Sequence, residues 1–252
     1  MSYQDIDIAK DYIAFTNSID GKIQQEVVFK AISKNLDVAV GATILDVACG
    51  GGWLANKLSG KYAAFGCDFS PELIRHAKSQ AEVLAGTQNS SAKFEIADTT
   101  DVLPYSDEQF DASIFNMSAH DVSNLEKTFA EISRVTKSGG KILMTVANPY
   151  YAFPVGIWKR GWLGFLLRRK PQLLVRPFFE FKRKPRQFTW NGKFTSYFYT
   201  LPEYIKNARA AGLQLSAMED LESGTDDENY SRRYQLFRFP VMQLLVFEKG
   251  RK

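Results

Sequence analysis

The chain has 252 residues, of which 45% are hydrophobic and 24% are charged, and its formal net charge at pH 7 is +4. This length and the alternation of strand and helix patterns predict a single α/β domain with a full core. No apolar run approaches the roughly 20 residues of a membrane span, and the acidic N-terminus lacks the apolar core of a signal peptide, so we expect a cytoplasmic protein. The two cysteines and two histidines have no metal-ligand spacing, so no metal site is predicted.

Residues 1–40 carry apolar side chains at near-helical spacing, which predicts an N-terminal helical cap. Tyr12 lies in the first part of this cap. We expect its ring either to pack as an ordinary aromatic residue or to contact a bound ligand.

Three consecutive glycines, Gly50 to Gly52, follow a predicted strand at 43–47 and precede a helical run at 53–58. Glycine has no Cβ, so the turn can adopt positive φ and a ligand can lie directly on the main chain. Asp46 places a negative charge where a phosphate would be repelled, which favours a ligand with a cationic part. The pattern Gly50-x-Gly52-x-x-Ala55 also fits a dinucleotide-binding loop, so both interpretations stay open at this point.

A second predicted strand ends at Cys67, and Asp68 follows it directly. A carboxylate at the carboxyl tip of a strand can accept two hydrogen bonds from a ribose diol. The dipeptide Ser70-Pro71 then starts a helix, on which His76 is expected to face solvent.

Two more strands are predicted, one running from residue 93 towards Asp98 and one at 110–116. Beyond them, Ser123 is expected to cap a helix that ends before a fifth strand at 141–147. A further helix from Leu201 and two final strands complete the pattern. The order of elements is therefore that of an α/β protein with a mostly parallel sheet.

The stretch Asp46-x-Ala48-x-Gly50-x-Gly52 resembles the cofactor loop of class I S-adenosylmethionine (SAM)-dependent methyltransferases, usually Asp/Glu-x-Gly-x-Gly-x-Gly. Ala48 replaces the first glycine, and we expect ordinary backbone dihedral angles there. Later motifs of the family follow in order over residues 40–148, namely Asp98, Leu103-Pro104-Tyr105, Asp107, Phe110-Asp111, 117–126 and 132–143. Nicotinamide-binding folds require no acid after the third strand, so Asp98 favours the methyltransferase interpretation. The C-terminal pattern resembles the small-molecule methyltransferases that include quinone-pathway enzymes.

The resemblance implies a Rossmann-like, seven-stranded, mostly parallel sheet with helices on both faces. It divides the single methyltransferase domain into four parts. These are an N-terminal helical cap (1–40), a SAM-binding core (41–149), a basic lid insertion (150–195), and a C-terminal helix with the last strands (196–252).

The resemblance also implies SAM as the cofactor and S-adenosylhomocysteine as its product. The methionine part would be held by Asp46, Ala48, Gly50 and Gly52. Asp68 and Phe69 would hold the ribose and one adenine face, Asp98 and Thr99 the adenine edge, and the carbonyl of Asn116 the amino group.

His120 is the candidate catalytic residue on the acceptor side, either as a base or as a positioning donor, with Asp121 beside it. The alternative is a loop histidine that only packs near the pocket. The candidate acceptor-binding residues are aromatic and would also suit an aromatic lid: Tyr12, Tyr150, Tyr197 and Tyr199.

Residues 157–193 contain eleven Lys/Arg and one acidic residue, whereas the rest of the chain contains 21 basic and 27 acidic residues. This segment is interpreted as a lid with solvated cations, as a contact with a membrane surface, or as a site for an acidic substrate. Nucleic acid is not favoured, because no RNA-binding module is recognisable.

The resemblance predicts an enzyme that methylates an oxygen, nitrogen or carbon atom of a small or medium-sized metabolite. An RNA or protein methyltransferase, and a catalytically silent SAM-binding protein at a membrane, are the alternatives.

Overall fold

The computed structural model describes two kinds of segment. Residues 4–88, 92–148, 197, 199–221 and 242–251 are described as parts of the folded domain. Four short strands are described by their backbone alone, at Gly156–Lys159 (β6), Gln172–Val175 (β7), Arg186–Phe188 (β8) and Phe194–Ser196 (β9). Most of the predicted basic insertion, including Tyr150, therefore lies outside the described residues.

Helices and strands alternate through the first 147 residues. In order they are α1 (Ile6–Asn17), α2 (Ile19–Asn35), β1 (Thr43–Val47), α3 (Trp53–Leu58), β2 (Ala63–Asp68), α4 (Pro71–Gln88), β3 (Lys93–Ile96), β4 (Phe110–Asn116), α5 (Leu125–Val135) and β5 (Thr136–Ala147). A single 3-10 turn, Ala119–Asp121, lies between β4 and α5. After β9 come α6 (Leu201–Ala210), β10 (Leu213–Leu221) and β11 (Met242–Lys249).

Seven strands form one sheet in the order β10-β11-β5-β4-β1-β2-β3. The strands β1 to β5 pair in parallel, whereas β11 runs antiparallel to both β5 and β10. The predicted seven-stranded, mostly parallel Rossmann-like sheet is thus confirmed. Since the chain moves from β1 to β2 on one side and returns to β4 on the other, the strand order reverses at β1. Ligands of such sheets bind at this reversal, outside the carboxyl ends of the strands.

Helices cover both faces of the sheet, so each face has its own apolar core. Along β1 the side chains alternate, with Ile44 packing on one face and Leu45 and Val47 on the other. The first face is covered by α2, α3 and α4, and the second by α5 and α6. Burial on both faces explains the nearly continuous apolar runs of the parallel strands.

The end of α5 is joined to the loop before β4 by one side chain. The guanidinium of Arg134 donates to the carbonyls of Leu103 (3.1 Å) and Tyr105 (2.8 Å), to Asp107 (2.7 Å) and to Glu131 (2.7 Å). Glu131 in turn accepts the Leu103 N–H at 2.8 Å. Three of the family-like motifs (Leu103-Pro104-Tyr105, Asp107 and 132–143) therefore meet here, and they hold a loop in place rather than perform chemistry.

Helix α5 begins one residue later than predicted. Asn124 is its N-cap, with Oδ1 accepting the N–H of Lys127 at 3.1 Å, so the assignment of the cap to Ser123 is wrong. Both residue types can cap a helix, and the tertiary position of the preceding turn decides which one does. Among the residues that the structure describes, no helix is both long and apolar enough to cross a membrane.

Candidate active site

The loop after β1 is shaped by three residues in the left-handed region. Ala48, Gly50 and Gly52 have φ values of 53°, 54° and 74°. The expectation of ordinary dihedral angles at Ala48 is therefore wrong. A Cβ in this region costs about 1 kcal/mol, so the surrounding contacts must hold Ala48 in a conformation that glycine would adopt freely.

Gly52 is required by the protein's own packing as well as by its φ. A Cβ there would lie 2.6 Å from the Ala77 methyl and 2.7 Å from the ring of Phe94. Helix α4 and strand β3 thus press directly on the loop. This contact fixes the start of α3, for which Gly52 is the N-cap.

Asp46 is a buried carboxylate in β1, only 2% exposed. Its Oδ1 has no hydrogen-bond partner within the described part of the chain. Burial raises the pKa of Asp46 to about 8, although a hydrogen bond from the main chain of Ala55 opposes the shift. An enclosed acceptor of this kind is costly unless a donor is supplied, and a cationic donor would suit it best.

Asp68 lies at the end of β2 and binds the glycine loop. Its Oδ2 accepts the N–H of Gly50 and its Oδ1 accepts the N–H of Ser70, each at 2.9 Å. Burial raises the pKa of Asp68 to about 6, and these two hydrogen bonds oppose the shift. Because each carboxylate oxygen has a second lone pair, both can still accept hydrogen bonds from a ribose diol. Phe69 follows and is half-buried.

Tyr12 of α1 lies directly over this loop. A Cβ on Gly50 would be 2.8 Å from the Tyr12 hydroxyl oxygen. Burial raises the pKa of Tyr12, and the charges of Asp68 and Asp46 raise it further. The helical cap therefore packs its tyrosine on the predicted cofactor loop, and a contact of this ring with a bound ligand stays a prediction.

His76 also contacts the loop. Its ring lies 3.2 Å from the position of a Cβ on Gly51, and the side chain is partly buried. Burial lowers the pKa of His76. The expectation that this residue faces solvent is wrong, because α4 packs closely enough on the glycine turn to bring the ring onto it.

Asp98 and Thr99 lie after β3 but differ in exposure. Asp98 is exposed, and its Oδ1 accepts the N–H and the hydroxyl of Thr100, both at 2.8 Å. Thr99 is buried, with its hydroxyl 3.4 Å from that of Thr128 on α5. The Thr99 side chain is thus engaged inside the protein, whereas Asp98 is the member of the pair that a ligand can reach.

Asn116 ends β4 next to a serine that the sequence analysis did not identify. Its side-chain Oδ1 accepts the Thr145 hydroxyl at 2.6 Å, and its carbonyl lies 2.8 Å from the hydroxyl oxygen of Ser118. The same hydroxyl oxygen is 3.0 Å from the carbonyl of Ala48. Ser118 therefore joins the loops after β1 and β4. The available signal was a hydroxyl residue two positions after a strand end, a common local hydrogen-bonding pattern.

Three of the predicted acceptor-side residues, His120, Tyr197 and Tyr199, come together around the 3-10 turn. The carbonyl of His120 accepts the N–H of Tyr197 at 2.5 Å, and the hydroxyl of Tyr199 donates to the carbonyl of Val122 at 2.8 Å. The rings of Tyr197 and Tyr199 are stacked with centroids 6.4 Å apart. His120 Nε2 lies 3.6 Å from Asp121 Oδ2.

This group of residues lies close enough to the cofactor loop for the charge of Asp121 to shift the pKa values of residues there. The charge of Asp121 contributes to the raised pKa values of both Asp68 and Tyr12. The site thus has two adjoining parts. One is rich in acceptor oxygens, from Asp46, Asp68 and the carbonyl of Asn116, and suits a ligand that donates several hydrogen bonds. The other is aromatic, with His120 beside it.

A model of a family described as "Methyltransferase domain" matches residues 45–144, which run from the middle of β1 through most of β5. A demethylmenaquinone methyltransferase from Leptospira interrogans is 27% identical over 212 residues, or 82% of this chain and 74% of that protein. A demethylmenaquinone methyltransferase from Paenarthrobacter aurescens is 29% identical over 147 residues, covering 56% of this chain, which spans about half (51%) of that relative's length.

The fold is also found among solved structures. A SAM-dependent methyltransferase from Mesorhizobium loti superposes with a TM-score of 0.70 and 18% identity, and the match covers 90% of this chain and 100% of the other. The likeness to this solved structure shows the fold alone. The family match and the residues of the loop after β1 are what support SAM as the cofactor. The sheet order, the carboxylates at its reversal point, the family match over residues 45–144 and the sequence relatives all support a class I SAM-dependent methyltransferase.

Proposed function

We propose that the protein transfers a methyl group from SAM to a small or medium-sized metabolite. The observation that carries this proposal is the placement of an aromatic, histidine-bearing group beside the carboxylates of the cofactor loop. The charge of Asp121 contributes to the raised pKa of Asp68, and the N–H of Tyr197 donates a hydrogen bond to the carbonyl of His120. Two relatives are demethylmenaquinone methyltransferases, so quinols are the first acceptor class to test.

The chain's contribution to cofactor binding follows from its acceptor oxygens. SAM supplies an electrophilic methyl group on a sulfonium. We assign the methionine part to Asp46, Ala48, Gly50 and Gly52, and the amino group to the Asn116 carbonyl. Asp68 and Phe69 hold the ribose and one face of the adenine, and Asp98 with the main chain of Thr99 meets its edge. Asp46 and Asp68 are buried, which excludes water from them and keeps them aligned. Such alignment in a dry site supplies most of the acceleration in displacements of this kind.

On the acceptor side, we assign to His120 the removal of a proton from an acceptor hydroxyl or amine. Its Nε2 lies 3.6 Å from the Asp121 carboxylate, which would stabilise the imidazolium formed by that transfer. Tyr197 and Tyr199 offer flat apolar surface with polar edges, which suits an aromatic acceptor such as a quinol. Tyr12 borders the same region from above the loop, and Tyr150 stays a predicted member of this pocket.

The first test is calorimetric titration of the wild type and of Asp68→Ala with S-adenosylhomocysteine and, separately, with NADH. We expect binding of S-adenosylhomocysteine alone, weakened by the substitution. Incubation with SAM and a panel of reduced naphthoquinones, phenols and amines, followed by mass spectrometry, then identifies the methylated class. Binding of NADH, or cofactor binding with no methylated product across the panel, would contradict the proposal.

We also propose that residues 157–193 bring the enzyme to an anionic membrane surface, where a lipid-soluble quinol would be found. The support is the excess of ten positive charges in this segment together with its tryptophans and leucines. Sedimentation with vesicles of phosphatidylglycerol and with neutral phosphatidylcholine vesicles tests this, because only the former should bind the protein. Retention on RNA in place of anionic vesicles would favour the nucleic-acid alternative.

A further inference from the structure

The hydroxyl of Ser118 lies between two main-chain carbonyls. Its oxygen is 2.8 Å from the carbonyl oxygen of Asn116 and 3.0 Å from that of Ala48. A serine hydroxyl has a single hydrogen, so it cannot donate fully to both acceptors at once. Three oxygens therefore converge at one point with only one hydrogen among them.

The two carbonyls belong to neighbouring strands at the edge where the sheet reverses. Val47 pairs with Phe115 in the parallel register of β1 and β4, so residues 48 and 116 both follow directly at the carboxyl ends. The N–H of Met117 is held by the carbonyl (2.9 Å) and the hydroxyl (3.1 Å) of Thr145. The site is thus built from the rigid ends of three adjacent strands, β1, β4 and β5.

The backbone at this point is strained on both sides. Ala48 and Met117 have φ values of 53° and 52°, and the described chain has one other non-glycine residue with positive φ, Glu108, which lies before β4. Such conformations cost on the order of 1 kcal/mol each and persist where neighbouring contacts or function require them. At Ala48 and Met117 the strain aims the carbonyls and the hydroxyl at a common point.

Three convergent oxygens fit a primary ammonium group, which has three donors and no acceptor. Ser118, Asn116 and Ala48 are all only half-buried, so a ligand at this edge can reach them. A serine hydroxyl can rotate, and in turning away from the carbonyls it changes from a donor into an acceptor. We propose that Ser118 is a cofactor-binding residue whose hydroxyl accepts a hydrogen bond from the amino group of the methionine part of SAM.

This role rests on the assignment of SAM as cofactor and adds a specific ligand atom to it. Without cofactor, the hydroxyl donates to the two carbonyls and keeps them converged. With cofactor, the ammonium donates to the two carbonyls in place of the serine hydroxyl. The hydroxyl oxygen then becomes the third acceptor of the ammonium. In the absence of cofactor, the Ser118 hydroxyl therefore makes the hydrogen bonds that the ammonium makes when the cofactor is bound.

The experiment compares two ligands that differ in the amino-acid part. S-adenosylhomocysteine has the ammonium, whereas methylthioadenosine keeps the nucleoside and lacks it. We expect Ser118→Ala to weaken S-adenosylhomocysteine about tenfold, as for a lost hydrogen bond to a charged group, and to leave the affinity for methylthioadenosine unchanged. Ser118→Thr keeps the hydroxyl and should retain most of the affinity. Calorimetry measures the affinity of each of these proteins for both ligands.

The matched control is Ser133→Ala, which removes a serine-to-carbonyl hydrogen bond of 2.8 Å to Ala211, away from the site, and should leave both affinities unchanged. Equal weakening of both ligands by Ser118→Ala would show a purely structural role and overturn the proposal, as would no change in either. If the wild type itself bound neither ligand, the assignment of SAM would fail first. If the wild type binds S-adenosylhomocysteine, the assignment of SAM stands, and the results with Ser118→Ala test the role of Ser118 alone.

Discussion

Tyr12 and Gly50 touch across the top of the cofactor loop, where a Cβ at residue 50 would lie 2.8 Å from the tyrosine hydroxyl oxygen. Helix α1 thus rests on the main chain of the glycine turn. The absence of a side chain at residue 50 serves two purposes, since it permits a φ of 54° and leaves room for the ring.

We expect Gly50→Ala to lower the free energy of unfolding by about 2 kcal/mol and to weaken S-adenosylhomocysteine at least tenfold. Thermal unfolding and calorimetry measure the two effects. Gly86→Ala is the control, because a Cβ there would meet no described atom within 4 Å and the residue lies within α4. That substitution should be neutral or slightly stabilising. Equal effects of both would contradict the role of the Tyr12 contact.

The two buried carboxylates predict a proton linkage. Burial raises the pKa of Asp46 to about 8 and that of Asp68 to about 6, so the folded protein binds more protons than the unfolded chain above pH 4. The stability of the ligand-free protein should therefore fall as the pH rises from about 4 to 8. Chemical denaturation at several pH values tests this, and Asp46→Asn should flatten the upper part of the profile.

The same groups predict how cofactor binding depends on pH. An ammonium favours the ionised form of Asp46, so its binding should expel a proton at pH 7. We expect the affinity for S-adenosylhomocysteine to rise between pH 6 and 8, by about tenfold per pH unit while one whole proton is released. The binding enthalpy should depend on the ionisation enthalpy of the buffer in the wild type and not in Asp46→Asn. A buffer-independent enthalpy in the wild type would contradict the linkage.

Arg134 should matter for stability rather than for chemistry. Its guanidinium binds two carbonyls and two carboxylates, and its hydrogen bonds lower the pKa of Glu131. We expect Arg134→Ala to cost about 2 kcal/mol of unfolding free energy at pH 7. The cost should diminish in acid, as Glu131 becomes protonated below its depressed pKa. Arg75→Ala breaks an exposed ion pair with Glu72 and should cost less than about 1 kcal/mol.

His120→Ala tests the chemistry of the acceptor side. With an acceptor found in the panel, kcat/KM should fall by roughly 100-fold if His120 removes a proton in the rate-limiting step. The affinity for S-adenosylhomocysteine should be unchanged, which separates a catalytic effect from a loss of fold. An unaltered kcat/KM would remove this residue from the mechanism.

The features that could be predicted from the sequence are those determined by neighbouring residues in the chain. The strand before Asp46, the glycine turn and the position of Asp68 follow from apolar runs and the freedom of glycine, and the order of motifs indicated the sheet. What could not be predicted depended on tertiary contacts. The positive φ of Ala48 is unusual for a residue with a Cβ, and Ser118 and Arg134 have partners 70 and about 30 residues away in the sequence.

Strand β11 is the last of the seven to appear in the sequence, yet it lies inside the sheet between β5 and β10. Until residues 242–249 have been synthesised, β5 has an open edge, and β10 has no neighbour to pair with. A nascent chain would therefore expose an apolar strand edge that invites association with other chains. Cellular synthesis of this protein should depend on chaperones until that strand is inserted, and truncation before residue 242 should yield aggregated rather than partly active protein.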